Sequence, residues 1–257
     1  MTADGTFAPR PGAAPLHRMV LAQAAMEARL LLRNGEQLLL ALVIPLLALV
    51  AGVAGARALE LDLGREPIDV LAPGVLALAV MSTAFTSLAI ATGFERRYGL
   101  IKRLGASPLP RSGLLLGKAG AVLLVEVAQL VVLGGVARAL GWHPDGSSAP
   151  GVLAALLAGT FAFASLGLLM AGALRAEATL AAANLVYLLL LAAGAVVLPA
   201  SSYGGAEQLV RWLPSGALGE AMRSATLDGS FPFVELLVLL GWGALGTVLT
   251  ARTFRWE

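Results

Sequence analysis

The sequence predicts an all-α integral membrane protein with six transmembrane helices and both termini on the cytoplasmic side. Three observations carry that prediction. The 257-residue chain is 58% hydrophobic and only 13% charged, with a mean hydropathy of +0.83, whereas a soluble domain is about 25% charged. So little polar surface cannot coat a globule, which excludes an ordinary soluble enzyme and a disordered or fibrous chain. Six apolar stretches each approach the roughly 20 residues that a helix needs to cross about 30 Å of hydrocarbon. Finally, thirteen of the eighteen Lys and Arg residues fall on one side of those stretches, and that side is cytoplasmic by the positive-inside rule.

Residues 1–36 form a cytoplasmic arm. Met1 to Pro15 is polar and rich in Pro and Gly, unlike a cleaved signal peptide. The transmembrane domain follows over 37–257, with spans expected at 37–56, 72–94, 114–137, 152–174, 178–198 and 232–251. These segments are continuous and rich in Leu and Ala rather than alternating, so strands are not expected. The basic side collects Arg10, Arg18, Arg29 and Arg33, then the cluster from Arg96 to Lys118, then Arg175, Arg252 and Arg255. The opposite side holds most of the acids, among them Glu60, Asp62, Glu66, Asp69, Asp145 and Glu207. Neither the arm nor the external segment 199–231 is large enough for a typical independent domain, so an ATPase engine would have to be a separate chain. Cysteine is absent, which removes disulfides, thiolate metal sites and Cys nucleophiles. The run from Gly113 to Lys118 only imitates a phosphate loop. It has three residues between its glycines and Ala119 after the lysine, where the motif needs four residues and then Ser or Thr.

Between spans two and three, Phe94, Tyr98, Ile101 and Leu104 recur at helical spacing and would share one face of a short helix. Arg96, Arg97, Lys102 and Arg103 occupy much of the rest, and Gly105, Pro108 and Pro110 end the helix before span three. Such a segment either lies on anionic headgroups or docks a cytoplasmic partner.

Polar residues inside the spans are the other candidates. Glu126 lies about 18 Å along span three at 1.5 Å per residue, close to mid-membrane, and shares a face with Lys118, Val122 and Gln129. A carboxylate at that depth faces protein or water. The stripe either lines a path for a cationic amphiphile or bonds helices together, and the packing reading is preferred. Ser82, Thr83, Thr86 and Ser87 cluster in span two, where hydroxyls can bond their own backbone. Asn184 and Tyr187 share a face of span five and either line a pore or pack. Ala48/Gly52/Ala56 and Gly151/Ala155/Gly159 are small-residue ladders for close helix approach. In the external segment, Glu207–Leu213 and Ser215 to about Thr226 form two short helices at or dipping into the outer leaflet, with Ser215 as a plausible N-cap.

Several motifs together resemble the ABC-2 family of ABC-transporter permeases, particularly the drug- and lipid-exporting kind. They are Glu95-x-x-x-Gly99, a basic residue and Leu104, Ser107-Pro108-x-x-Arg111, and Leu116-Gly117-Lys118 opening span three. Glu27-x-Arg29 and Arg33-Asn34-Gly35 resemble the family's interfacial helix, with Gly35 where the family often has proline. Gly194, Pro199, Leu213-Pro214 and Ala221-Met222-Arg223 resemble its external segment, and Phe254-Arg255-Trp256 its C-terminus. The resemblance implies that two permease copies pair as a homodimer in the plasma membrane and bind two ATPase subunits. ATP and Mg would be bound by that partner and no cofactor by this chain. Glu95, Arg96, Arg97, Tyr98, Gly99, Ile101, Arg103 and Leu104 would form the coupling helix, with Pro108, Arg111, Gly117 and Lys118 in the turn into span three. Ser82, Thr86, Glu126, Gln129, Asn184 and Tyr187 would line the path, and Pro199, Pro214 and Arg223 an external gate. Membrane lipid is the other partner, and nucleic acid is not expected. A self-contained proton-coupled carrier using Glu126 is the alternative. A membrane-embedded enzyme is the weakest reading, since His17 and His143 lie outside the spans and no paired carboxylates appear.

Overall fold

The structure is a computed structural model. It describes residues 14–33, 35–60, 63–104, 108–144 and 146–253, without the side chains of 32, 36–40 and 111. Arg10, Asn34, Asp62, Gly105, Ser107, Asp145 and Phe254-Arg255-Trp256 lie outside the described residues.

The described residues form helices and their connections, with no strand among them, and six helices are long and apolar enough to cross a membrane. Ahead of them, α1 (Leu16–Arg33) is amphipathic. Its Gln23, Ala24, Glu27 and Ala28 are buried, while Leu21 and Leu30 stay exposed. The buried face lies on α6 (Arg111–Ala139), where a Cβ at Gly117 would collide with Gln23. Span one is α2 (Gly35–Ala58), with Pro45 inside it.

Span two is the central helix. It runs from α3 (Pro67–Met81) through a π-helical turn (Ser82–Ser87) into α4 (Leu88–Arg97). It begins five residues before the expected position 72, because Pro67 is preorganised for the first helical turn and Asp69 there complements the helix dipole. Nearly all of α3 is buried. Leu71 meets Gly52 of α2, so that small-residue ladder serves close approach.

The expected helix from Glu95 to about Gly105 is not one helix. Glu95, Arg96 and Arg97 complete span two, the chain breaks at Tyr98–Gly99, and α5 (Leu100–Leu104) is separate. Gly99 adopts φ +69°, a left-handed conformation that glycine reaches without a Cβ penalty and that a helix cannot continue through. The proposed stripe is therefore split, with Tyr98 exposed and Ile101 buried.

Spans three and four are α6 and α7 (Ala149–Ala173). Gly159 and Gly151 of α7 seat Leu218 and Ala225, and Gly167 seats the Phe85 carbonyl. Span six, α11 (Phe233–Thr253), packs along α7 with Gly243 under the Phe161 ring and Gly246 against Ser165.

Span five, α8 (Ala176–Ala193), stops five residues short of the expected Leu198. Gly194 ends the helix and Ala195 takes φ +53°, so 194–198 turns inward as irregular buried backbone. A 3-10 turn (Ala200–Ala206) and α9 (Glu207–Trp212) lead to α10 (Pro214–Leu227). Most of α10 is buried between α3 and α7, so it is part of the bundle rather than a helix resting on its surface. Its N-cap is Leu213 with Pro214 as the first helical residue. Ser215 does not cap it, since its hydroxyl donates to the Gly194 carbonyl at 2.8 Å.

Candidate functional site

A cavity of about 590 Å³ opens between α1, α2, the π turn, α4, α5 and α8. It falls within the range of about 300–1,000 Å³ usual for ligand pockets. Neither α3 nor α10 contributes to its wall, so it occupies one half of the bundle's depth, at the end that carries α1. Its deep end, toward the middle of the bundle, is lined by Ser82, Thr86, Asn184 and Tyr187, and Glu27, Glu95 and Tyr98 line the end nearest α1. Ile44, Ile90 and Leu180 supply apolar wall between them.

The π turn sets the deep end. Its Thr83 hydroxyl donates to the Gln129 side chain at 2.9 Å, while Gln129 donates to the Ala41 carbonyl at 2.8 Å. That bridge ties spans one, two and three and leaves Ser82, Thr86 and Ser87 toward the cavity. The Thr86 hydroxyl has no hydrogen-bond partner. The Tyr187 hydroxyl, buried beside Ser82, makes no well-formed hydrogen bond. Asn184 is exposed on the cavity wall rather than packed.

Of the six residues expected on the path, Glu126 and Gln129 are absent from this wall. Glu126 is completely buried and accepts a 2.5 Å hydrogen bond from Thr160 of span four. It joins α6 to α7 as a packing contact. Lys118, on the same stripe, lies between two carboxylates, 2.9 Å from Glu27 of α1 and 2.5 Å from Glu95 of α4. Gln23 donates to Glu27 at 2.9 Å. Helix α1, the end of span two and the start of span three thus meet at one buried ammonium.

The adjacent arginines point away. Arg96 donates to the Gly172 and Leu174 carbonyls that end span four, and Arg97 pairs with Glu177 at the start of span five. Tyr98, Lys102 and Arg103 are exposed, Ile101 is buried and Leu104 is half-buried. Pro108 is exposed, Pro110 is the N-cap of α6, and Arg111 opens that helix. Residues with coupling expectations are therefore divided between fixed positions (Glu95, Arg96, Arg97, Ile101) and an accessible surface (Tyr98, Lys102, Arg103).

At the opposite end, Arg223 reaches under α10 to the irregular backbone. Its guanidinium donates to the carbonyls of Ala195, Val196, Val197 and Leu198 at 3.0–3.3 Å. Glu220 pairs with it at 3.3 Å and accepts from the Ala200 N–H at 2.7 Å. Burial lowers the Arg223 pKa from the usual arginine value, and Glu220 opposes that shift. Pro199 introduces the 3-10 turn and Pro214 begins α10, so the three residues expected at an external gate are brought to one unit.

Sequence reasoning overlooked Glu27, Thr160, Glu177 and Glu220 as site residues. Glu27 carried a signal, since Gln23, Glu27 and the two alanines beside them form the one face of α1 that α6 covers. Thr160 and Glu177 did not, because their partners lie 34 and 80 residues away.

A six-helix membrane bundle with a ligand-sized cavity in half its depth defines a membrane transport subunit. A family described as "ABC-2 family transporter protein" matches residues 68–252, and the chain belongs to that family. Comparison with curated proteins gives no match.

Proposed function

We propose that this chain is the permease subunit of an ATP-driven exporter that moves a hydrophobic or amphipathic compound across the plasma membrane. A separate ATPase supplies the energy and holds ATP and Mg, and two permease copies assemble as a homodimer. The observation that carries this reading is the half-depth cavity. It is mostly apolar, it holds a few convergent hydroxyls, and it lies toward the α1 end while α10 and the 194–198 backbone fill the other. A wall of that composition suits an amphipathic ligand. The exposed Tyr98, Lys102 and Arg103 are the surface on which the ATPase docks. Arg96 and Arg97 pass its movement to spans four and five through their contacts with Gly172, Leu174 and Glu177.

The test is reconstitution. Proteoliposomes holding the chain with its ATPase accumulate a hydrophobic dye only when ATP is supplied on the ATPase side. Uptake by the chain alone, driven by a pH gradient and abolished by Glu126→Gln, overturns the reading in favour of a proton-coupled carrier. The burial of Glu126 away from the cavity argues against that carrier.

A further inference from the structure

We propose that the cavity selects a lipophilic cation, a single positive charge on an apolar or aromatic body, and that Glu95 and Glu27 on its wall are its charge partners. The inference rests on the cavity being the transport site and adds the class of compound it takes. Two carboxylates, Glu27 and Glu95, line the cavity, while the one ammonium between them, Lys118, sits behind the wall in a small adjoining pocket. With both carboxylates ionised, one positive charge against two negative ones leaves this part of the wall one negative charge in excess.

The surrounding basic residues do not cancel it. Arg96 is spent on backbone carbonyls and Arg97 on Glu177 and the Tyr98 ring, and Arg29, Arg33, Lys102 and Arg103 are exposed and off the cavity wall. This happens at the end of the bundle where Lys and Arg are most concentrated, so the anionic character of the wall arises from the pairing geometry rather than from composition. In a wall of low dielectric that charge acts at greater strength than in water.

A second feature points to a ligand independently. Tyr187, 92% buried by its 8% exposure, presents a hydroxyl without a well-formed partner to the deep end, as does Thr86. Buried hydroxyls are ordinarily satisfied, and a ligand in the cavity completes them. Phe94, stacked on Tyr98 with ring centroids 6.2 Å apart, adds an aromatic wall next to Glu95, and a cation is attracted to such a ring face. An anion of the same shape meets two carboxylates, and a neutral compound gains nothing from them.

The experiment is equilibrium binding to the purified chain in nanodiscs of zwitterionic lipid, with empty nanodiscs subtracted. The probes are tetraphenylphosphonium and its near-isostere tetraphenylborate. The phosphonium is expected to bind saturably and the borate at least tenfold more weakly. Glu95→Gln is expected to weaken phosphonium binding about tenfold, with Glu27→Gln in the same direction and Glu126→Gln without effect. Equal binding of the two probes, or no saturable phosphonium binding, overturns the proposal with the wild-type chain alone, whether or not the variants fold. An unchanged phosphonium affinity in a monodisperse Glu95→Gln chain also overturns it. ATP-driven transport of a neutral dye by the complex, alongside failed phosphonium binding, removes this inference and leaves the permease reading standing.

Discussion

The Lys118 ammonium stands 2.5 Å from the Glu95 carboxylate, binding the start of span three to the end of span two. Glu27 of α1 meets the same ammonium from the other side. Removing one partner of such a buried set costs about 3–5 kcal/mol, because the remaining charges are stranded. Lys118→Met is expected to lower the melting temperature of the detergent-purified chain sharply. The triple variant Lys118→Met, Glu95→Gln, Glu27→Gln restores most of the loss, and a scanning melt checks both.

Arginine and lysine in the segment after span two divide by position. Lys102→Glu and Arg103→Glu alter an exposed surface, so they are expected to weaken co-purification with the ATPase while leaving stability within about 0.5 kcal/mol of wild type. Arg96→Glu breaks its bonds to the Gly172 and Leu174 carbonyls, so it lowers stability itself. Pull-down and melt together separate the two classes.

Gly99→Ala imposes a Cβ on a φ of +69°, at a cost of about 1 kcal/mol. The chain relieves it by letting α4 run on into α5, which moves Lys102 and Arg103 around the helix axis. ATP-driven transport is expected to fall well before the melting temperature does, with ATP hydrolysis by the partner continuing unproductively.

Glu126→Gln keeps an oxygen that accepts from Thr160, so ATP-driven transport and stability are expected to be unchanged. Glu126→Lys places an ammonium where no carboxylate faces it and prevents stable insertion, as a charge at mid-membrane costs at least about 2.5–3.5 kcal/mol. Membrane yield and transport rate are the readouts.

Arg223→Ala releases four carbonyls and strands Glu220. The expected loss is at least about 3 kcal/mol, with new protease cleavage between 199 and 213. Arg223→Lys keeps the charge but lacks the planar fork that spans four acceptors, and falls between.

The spans were legible because lipid demands long apolar runs, and that demand is written residue by residue. Helix ends were less so. Asp69 reads as a flanking charge yet belongs to the first turn of α3, where the dipole and Pro67 accommodate it. Val196 and Val197 read as the end of span five, but apolarity cannot tell a helix from irregular backbone whose carbonyls a distant arginine supplies. Four of the six residues expected on the path, Ser82, Thr86, Asn184 and Tyr187, line the cavity. Glu126 and Gln129, expected on the path although packing is the preferred reading of their stripe, lie off this wall, because a helical stripe shows which residues share a face, not which neighbour that face meets. Gly99 was visible as a glycine, and its effect in splitting the basic segment was not, since the apolar spacing ran straight across it.

Arg223 has a further consequence for how the far end of the bundle opens. Its guanidinium sits on α10 while its four acceptors belong to the stretch leaving α8, so neither piece travels without the other. In the permease proposed above, a solute leaving by that end would not push a flap aside. It would wait for α10 and the 194–198 backbone to withdraw from α3 and α7 as one rigid stopper, and the frequency of that concerted step would set the ceiling on turnover.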